Sequence, residues 1–183
     1  HFRLTIHLLT ALLLLALTLW LAFNRIYDQA GLRWRQWSAL GALTLAVIVV
    51  QIAYGGLVAG LKAGHISNTW PLMFGVWIPS GMWTAFDSWL VSAVTAPATV
   101  HFIHRWLAFG VLVAALWLGW RQRHARRGAS AFWLAAIILV QIGLGVSVVI
   151  FGVALWLALL HQATAVVMFA AALHLNHRLA TAS

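Results

Sequence analysis

Five apolar stretches, each about the 20 residues that a bilayer-crossing helix needs, constrain this chain more than any other feature. They lie near residues 4–24, 38–61, 98–120, 130–151 and 154–176. The 183 residues are 64% hydrophobic and only 7% charged, with no glutamate, so the chain cannot cover a water-soluble globule and must use lipid as its solvent. The expected fold class is an all-α integral membrane protein with five transmembrane helices. All three prolines, Pro71, Pro79 and Pro97, fall in the one long connection or at its end, which leaves the helices free of their main breaker. Pro97 closely follows Thr95, a pairing that suits a side-chain-capped helix start.

The formal charge of +9 does not point to nucleic acid, because the arginines sit in short clusters between apolar runs. Arg25, Arg33 and Arg35 flank one connection, Arg121, Arg123, Arg126 and Arg127 another, and Arg178 the tail. These regions are therefore expected on the cytoplasmic side, which puts the connection 62–97 and a tight turn near 152–154 outside. Trp20, Trp117, Trp120 and Trp133 at the inner ends and Trp156 near an outer end agree with that layout. The external connection carries Trp70, Trp77, Trp83 and Trp89 with little charge, so it is expected to be ordered on the bundle or the membrane surface, with a short amphipathic helix near 82–94. Its one acid, Asp87, is expected to stay at the surface.

Histidine has to carry any metal chemistry, since the chain has no cysteine. In TVHFIHR, residues 99–105, His101 and His104 are three positions apart, about 60° around a helix and one turn along it. Ionisable groups at membrane depth turn toward a bundle interior, where they need a partner. His161 lies in another apolar run at matched depth, and two imidazoles from neighbouring helices are what a six-coordinate haem iron requires. The alternative is two histidines satisfied by backbone carbonyls or headgroups. His101 stays open as a further ligand, a propionate donor, a proton relay or a polar residue at the helix mouth. Arg105 either pairs with a propionate or reaches a lipid phosphate. A zinc site is not expected, because the His-x-x-His pair lacks the further imidazoles or carboxylate that a closed site needs. His174 and His177 face away from His161, while His65 and His124 fall in loops.

A short repeat aligns His7 in HLLTA with His161 in HQATA. His7 then becomes half of a second bis-histidine site whose other half lies in residues this sequence does not contain. Gly56, Gly60 and Gly64, and Gly143 with Gly145, are read as close helix packing, or as room for a flat macrocycle.

The segment GGLVAGLKAGHISNTWPLMFGVWIP, residues 55–79, with TVHFIHR, HQATA and HLLTA, resembles the haem A synthase family, and NTWPLM is its most specific part. The resemblance covers nearly the whole chain, from that family's fourth helix onward. It implies an enzyme of two similar four-helix halves: residues 1–25 as the last helix of an incomplete N-terminal half, 26–37 as a cytoplasmic loop, 38–179 as a C-terminal four-helix haem b domain with external loop 62–97, and 180–183 as a tail. It implies oxidation of a methyl group of haem O to a formyl group, giving haem A for terminal oxidases. By the same resemblance, His104 and His161 bind the iron of a haem b cofactor, with Arg105 and His101 beside it, and His7 binds the iron of the substrate haem. The catalytic groups would lie in the missing half, leaving this chain alone inactive. Haem O and the lipid bilayer are the implied partners, with haem O synthase, an electron donor and a second copy as further candidates. A bacterial inner (cytoplasmic) membrane is the implied location, with the mitochondrial inner membrane as the alternative. The sequence departs from the family at His101, where glutamine is common, and at Trp70, where phenylalanine is common. The competing class is a non-catalytic membrane b-type cytochrome; a transporter or assembly subunit with a histidine proton relay is a third.

Overall fold

The structure, a computed structural model, describes residues 1–27, 38–124 and 128–180. Six α-helices appear in chain order: α1 (Phe2–Ile26), α2 (Ala39–Gly60), α3 (Trp89–Thr95), α4 (Pro97–Arg121), α5 (Gly128–Ile150) and α6 (Leu155–Ala180). All but α3 are long and apolar enough to cross a membrane, and no β-strand is present among the described residues. The chain is an all-α, multi-pass membrane protein. Arg33, Arg35, Arg126, Arg127 and the last residues of the tail, on which part of the expected orientation rests, lie outside the described residues.

Four helices close a ring in the order α2, α4, α5, α6 and back to α2, and α1 packs outside it against α2 and α6. Because hydrophobicity does not drive association between helices in lipid, close packing and small residues must. Gly56 is where α1 approaches α2: an added Cβ would stand 3.0 Å from Thr5 Oγ1 and 3.3 Å from a Leu8 methyl. The ring's apolar core includes Ile48 and Ile52 of α2, Val111, Ala115 and Leu118 of α4, Leu134 and Ile138 of α5, and Met168 and Phe169 of α6.

The connection from α2 to α4 is folded back onto the bundle. It contains a 3₁₀ turn at Met82–Thr84 and the two-turn helix α3, so the helix expected near 82–94 is split in two. The reason is local: Ser88 caps α3 by accepting from Leu90 N, and Ser92 Oγ accepts from Phe86 N. The side-chain cap expected from Thr95 is not formed. Thr95 ends α3, with its hydroxyl donating to Val91 O, and α4 starts on Ala96 with Pro97 at its first position, where the missing N–H costs nothing. The buried Thr99 hydroxyl donates to Met82 O at 2.6 Å, and Trp70 and Trp77 rest on Trp106, tying the connection to α4. At the same end, α5 and α6 are joined by a turn in which Gly152 and Val153 both take positive φ (64° and 63°).

Candidate functional site

Between the apolar core and the α2–α4 connection, the four ringed helices enclose a cavity of about 240 Å³. Ile52, Val111, Ile138 and Met168 belong both to the core and to the cavity lining, so the cavity has a hydrocarbon floor. Its polar groups are few: His101, His104 and Arg105 from α4, His161 and exposed Gln162 from α6, Gln51 from α2 and Gln141 from α5, with exposed His65 and half-buried Trp70 toward the connection. An apolar chamber with a few convergent polar groups is the usual form of a cofactor site.

His104 and His161 occupy equivalent settings. Gln51 donates from Nε2 to His104 O at 3.0 Å, and the same nitrogen lies 3.2 Å from His104 Nδ1. Gln141 donates from Nε2 to His161 O at 2.9 Å and lies 3.4 Å from His161 Nε2. One turn on from each glutamine, at the fourth residue, a glycine faces the same ring: a Cβ at Gly55 would be 3.3 Å from His104 Cε1, and one at Gly145 3.1 Å from His161 Cε1. Each histidine is thus held by its main chain and given room for its ring by the preceding long helix. The Oε1 atoms of Gln51 and Gln141 and Nδ1 of His161 are buried without a partner.

Arg105 is buried inside the chain, neither lying free beside the cavity nor reaching the lipid surface. It donates from Nε to His101 Nε2 at 3.1 Å, from one terminal nitrogen to Thr69 O at 2.9 Å and from the other to Ser67 O at 3.1 Å. Trp70 covers the guanidinium at 5.7 Å. These bonds use three of its five N–H donors and leave two. Because arginine only donates, the lone pair on His101 Nε2 is committed to it, so in this arrangement His101 supports Arg105 and does not offer that nitrogen to a metal. His101 and Trp70, the two positions that the sequence reading set apart, therefore both meet Arg105.

The remaining candidates lie elsewhere. His7 is exposed on α1 and takes no part in the cavity. His174 Nε2 pairs with the Tyr27 hydroxyl at 2.8 Å and His177 Nε2 with Asn24 Oδ1 at 2.9 Å, so both serve the α1–α6 contact, and His177 is fully buried there. His124 and Asp87 are exposed. Gly143 faces open space, and of the glycines singled out in the sequence only Gly145 touches a cavity imidazole. Gln51, Gln141 and Gly55 were not singled out as individual site residues. The signal that marks them is the shared pattern Gln-Ile-x-x-Gly, as QIAYG at 51–55 and QIGLG at 141–145.

Among the described residues, no three histidine, cysteine or acidic side chains converge into a metal site. Two imidazoles on one apolar cavity suit a metal that arrives with its own equatorial ligands, as iron does in a porphyrin, and the side-chain-free faces of Gly55 and Gly145 suit its bulk. The residues present fit such a group. The sequence model described as cytochrome oxidase assembly protein matches residues 1–173. The chain belongs to that family. Among curated members of the cytochrome oxidase assembly family, the haem A synthase of Flavobacterium psychrophilum is 35% identical over 185 residues, covering 97% of this chain and 54% of that protein. That of Sphingopyxis alaskensis is 36% identical, covering 98% and 51%, and that of Novosphingobium aromaticivorans 37%, covering 93% and 50%. The chain spans about half the length of the curated relatives it matches. No solved structure matches it.

Proposed function

We propose that the cavity binds a haem b through His104 and His161, and that the chain serves a haem A synthase that oxidises a methyl group of haem O to a formyl group. The observation that carries the reading is the pair of histidines on one apolar cavity, each opposite a glycine, where no three histidine, cysteine or acidic side chains converge among the described residues. Its support is the family and its haem A synthase relatives. When bound, haem iron supplies the one-electron chemistry that side chains lack. The chain's own groups do the rest. His104 and His161 would hold the haem iron from two helices, and the floor of Ile52, Val111, Ile138 and Met168 would keep water from it. Arg105, a buried cation, directs its two uncommitted N–H groups at a propionate. Residues 38–179 form the haem domain in this reading. His7 on α1 ligates a substrate haem in a site that the described residues do not complete. Haem O dissolves in the bilayer, and the chain is assigned to a bacterial cytoplasmic membrane, in keeping with its bacterial relatives.

The test replaces the matched half of the Flavobacterium psychrophilum protein by this chain, in a host that makes haem O but no haem A. Haem A in the extracted pigments, lost on His104→Ala, supports the reading. A membrane-inserted chimera that carries haem b and never forms haem A places the chain with the non-catalytic cytochromes.

A further inference from the structure

The two glutamines of the cavity have no role in the reading above, yet they are its most regular feature. Gln51 and Gln141 come from different helices and address different histidines, and each amide nitrogen both donates to the histidine's own carbonyl and approaches its ring, at Nδ1 of His104 and at Nε2 of His161. A carboxamide that only fastened helices together would be satisfied by the carbonyl. Here each also retains a buried oxygen without a partner, one residue away from apolar core. Such an atom is costly unless something donates to it, and its occurrence on both glutamines indicates a shared demand. The group that each amide faces through its nitrogen is an imidazole, whose ring nitrogens can carry a proton. A histidine that ligates through one ring nitrogen carries its proton on the other, and that N–H needs an acceptor.

We propose that Gln51 and Gln141 are positioning residues for the two histidines: in the haem-free chain each amide nitrogen donates to its histidine's carbonyl and faces the ring, and in the ligating state the amide turns to give its oxygen, here without a partner, to the ring N–H. The inference rests on the haem-binding reading above. Acceptor strength at this oxygen sets how much electron density the imidazole gives a metal. It thereby sets the reduction potential as well as the ring's orientation. The glycine at the fourth following position completes the device, since it lets the ring turn between its partners without striking a side chain. The two clasps are not identical: the Gln51 amide nitrogen lies 3.2 Å from His104 Nδ1, and that of Gln141 lies 3.4 Å from His161 Nε2.

The experiment uses the whole chain in detergent, native and as Gln51→Met, Gln51→Glu, Gln141→Met and Gln141→Glu. Methionine keeps the length of glutamine without its hydrogen bonds, and glutamate keeps the shape with a stronger acceptor. With iron protoporphyrin IX bound, the midpoint potential should rise in the methionine variants and fall in the glutamate variants. Affinity for the haem should drop about tenfold in the methionine variants. A merely structural role would move both substitutions the same way, or neither, and that result overturns the proposal. In the haem-free chain, the ¹⁵N shifts of the His104 ring should change on Gln51→Met; unchanged shifts overturn it equally. Native protein that takes up no haem overturns the haem reading by itself, and the ¹⁵N arm still decides whether the clasp exists.

Discussion

Arg105 shows how much one side chain can organise in a membrane bundle. A guanidinium buried with no carboxylate beside it is costly unless its donors are used, and here it uses three on His101, Thr69 and Ser67. The residues that receive those bonds are the ones that seat the connection over the cavity. Arg105→Ala should therefore loosen residues 66–70. Two lost bonds from a charged donor, at about 1.5–3 kcal/mol each, are enough for amide exchange there to quicken at least about tenfold. Arg105→Lys should not restore protection, because a single ammonium cannot reproduce the planar fork; native exchange in the lysine variant would contradict this. The glycines give a second residue-scale prediction. Gly145→Ala places a methyl 3.1 Å from the His161 ring and Gly55→Ala one 3.3 Å from that of His104, while Gly143→Ala meets nothing within 4 Å. Haem affinity should fall most at 145, less at 55 and not at 143, where alanine adds about 0.5–1 kcal/mol of helix stability. Haem titration of the three variants checks the order.

At the scale of elements, the five long helices were legible because lipid admits so few solutions to the backbone's hydrogen-bonding demand. Length and hydropathy placed each spanning helix within a few residues of its observed bounds. The start of α4 was placed correctly but its cap was not: Thr95 looks like a cap in sequence, whereas it is the last residue of α3 and its hydroxyl donates to Val91 O. Ser88 had the capping role at the start of α3, and nothing in its neighbourhood was periodic enough to mark it. Packing along α2 holds for Gly56, against Thr5, and for Gly60, against His1, but Gly64 lies past α2 in a 3₁₀ turn, and Gly55, one position before the small-residue run, is the one that meets an imidazole. Which helix α2 packs against on each face is a tertiary fact, so periodicity could not separate the two roles. Gly56→Leu tests the packing role: a large side chain driven into Thr5 and Leu8 should destabilise the α1–α2 contact by about 1–3 kcal/mol. Unfolding in mixed micelles reads that loss, and His104 and His161 should still bind haem if α1 lies outside the ring.

For the whole molecule, ring closure by α2, α4, α5 and α6 explains why distant histidines reach one cavity. His104 and His161 were legible as a pair because ionisable groups at equal depth in separate apolar helices have few partners to find. His7 carried a sequence likeness to His161 but lies exposed on α1, outside that cavity. The glutamines went unnoticed because a neutral amide in an apolar helix carries no charge to flag it, and only the repeated Gln-Ile-x-x-Gly spacing distinguishes them. The measurement that bears most directly on the central claim is the visible spectrum of the purified chain with iron protoporphyrin IX, beside His104→Ala, His161→Ala and His7→Ala. A six-coordinate low-spin spectrum in the native chain and in His7→Ala, lost or converted to five-coordinate high-spin in the other two, is the expected result. Native-like spectra in both cavity variants, or no uptake of haem by the native chain, would contradict it.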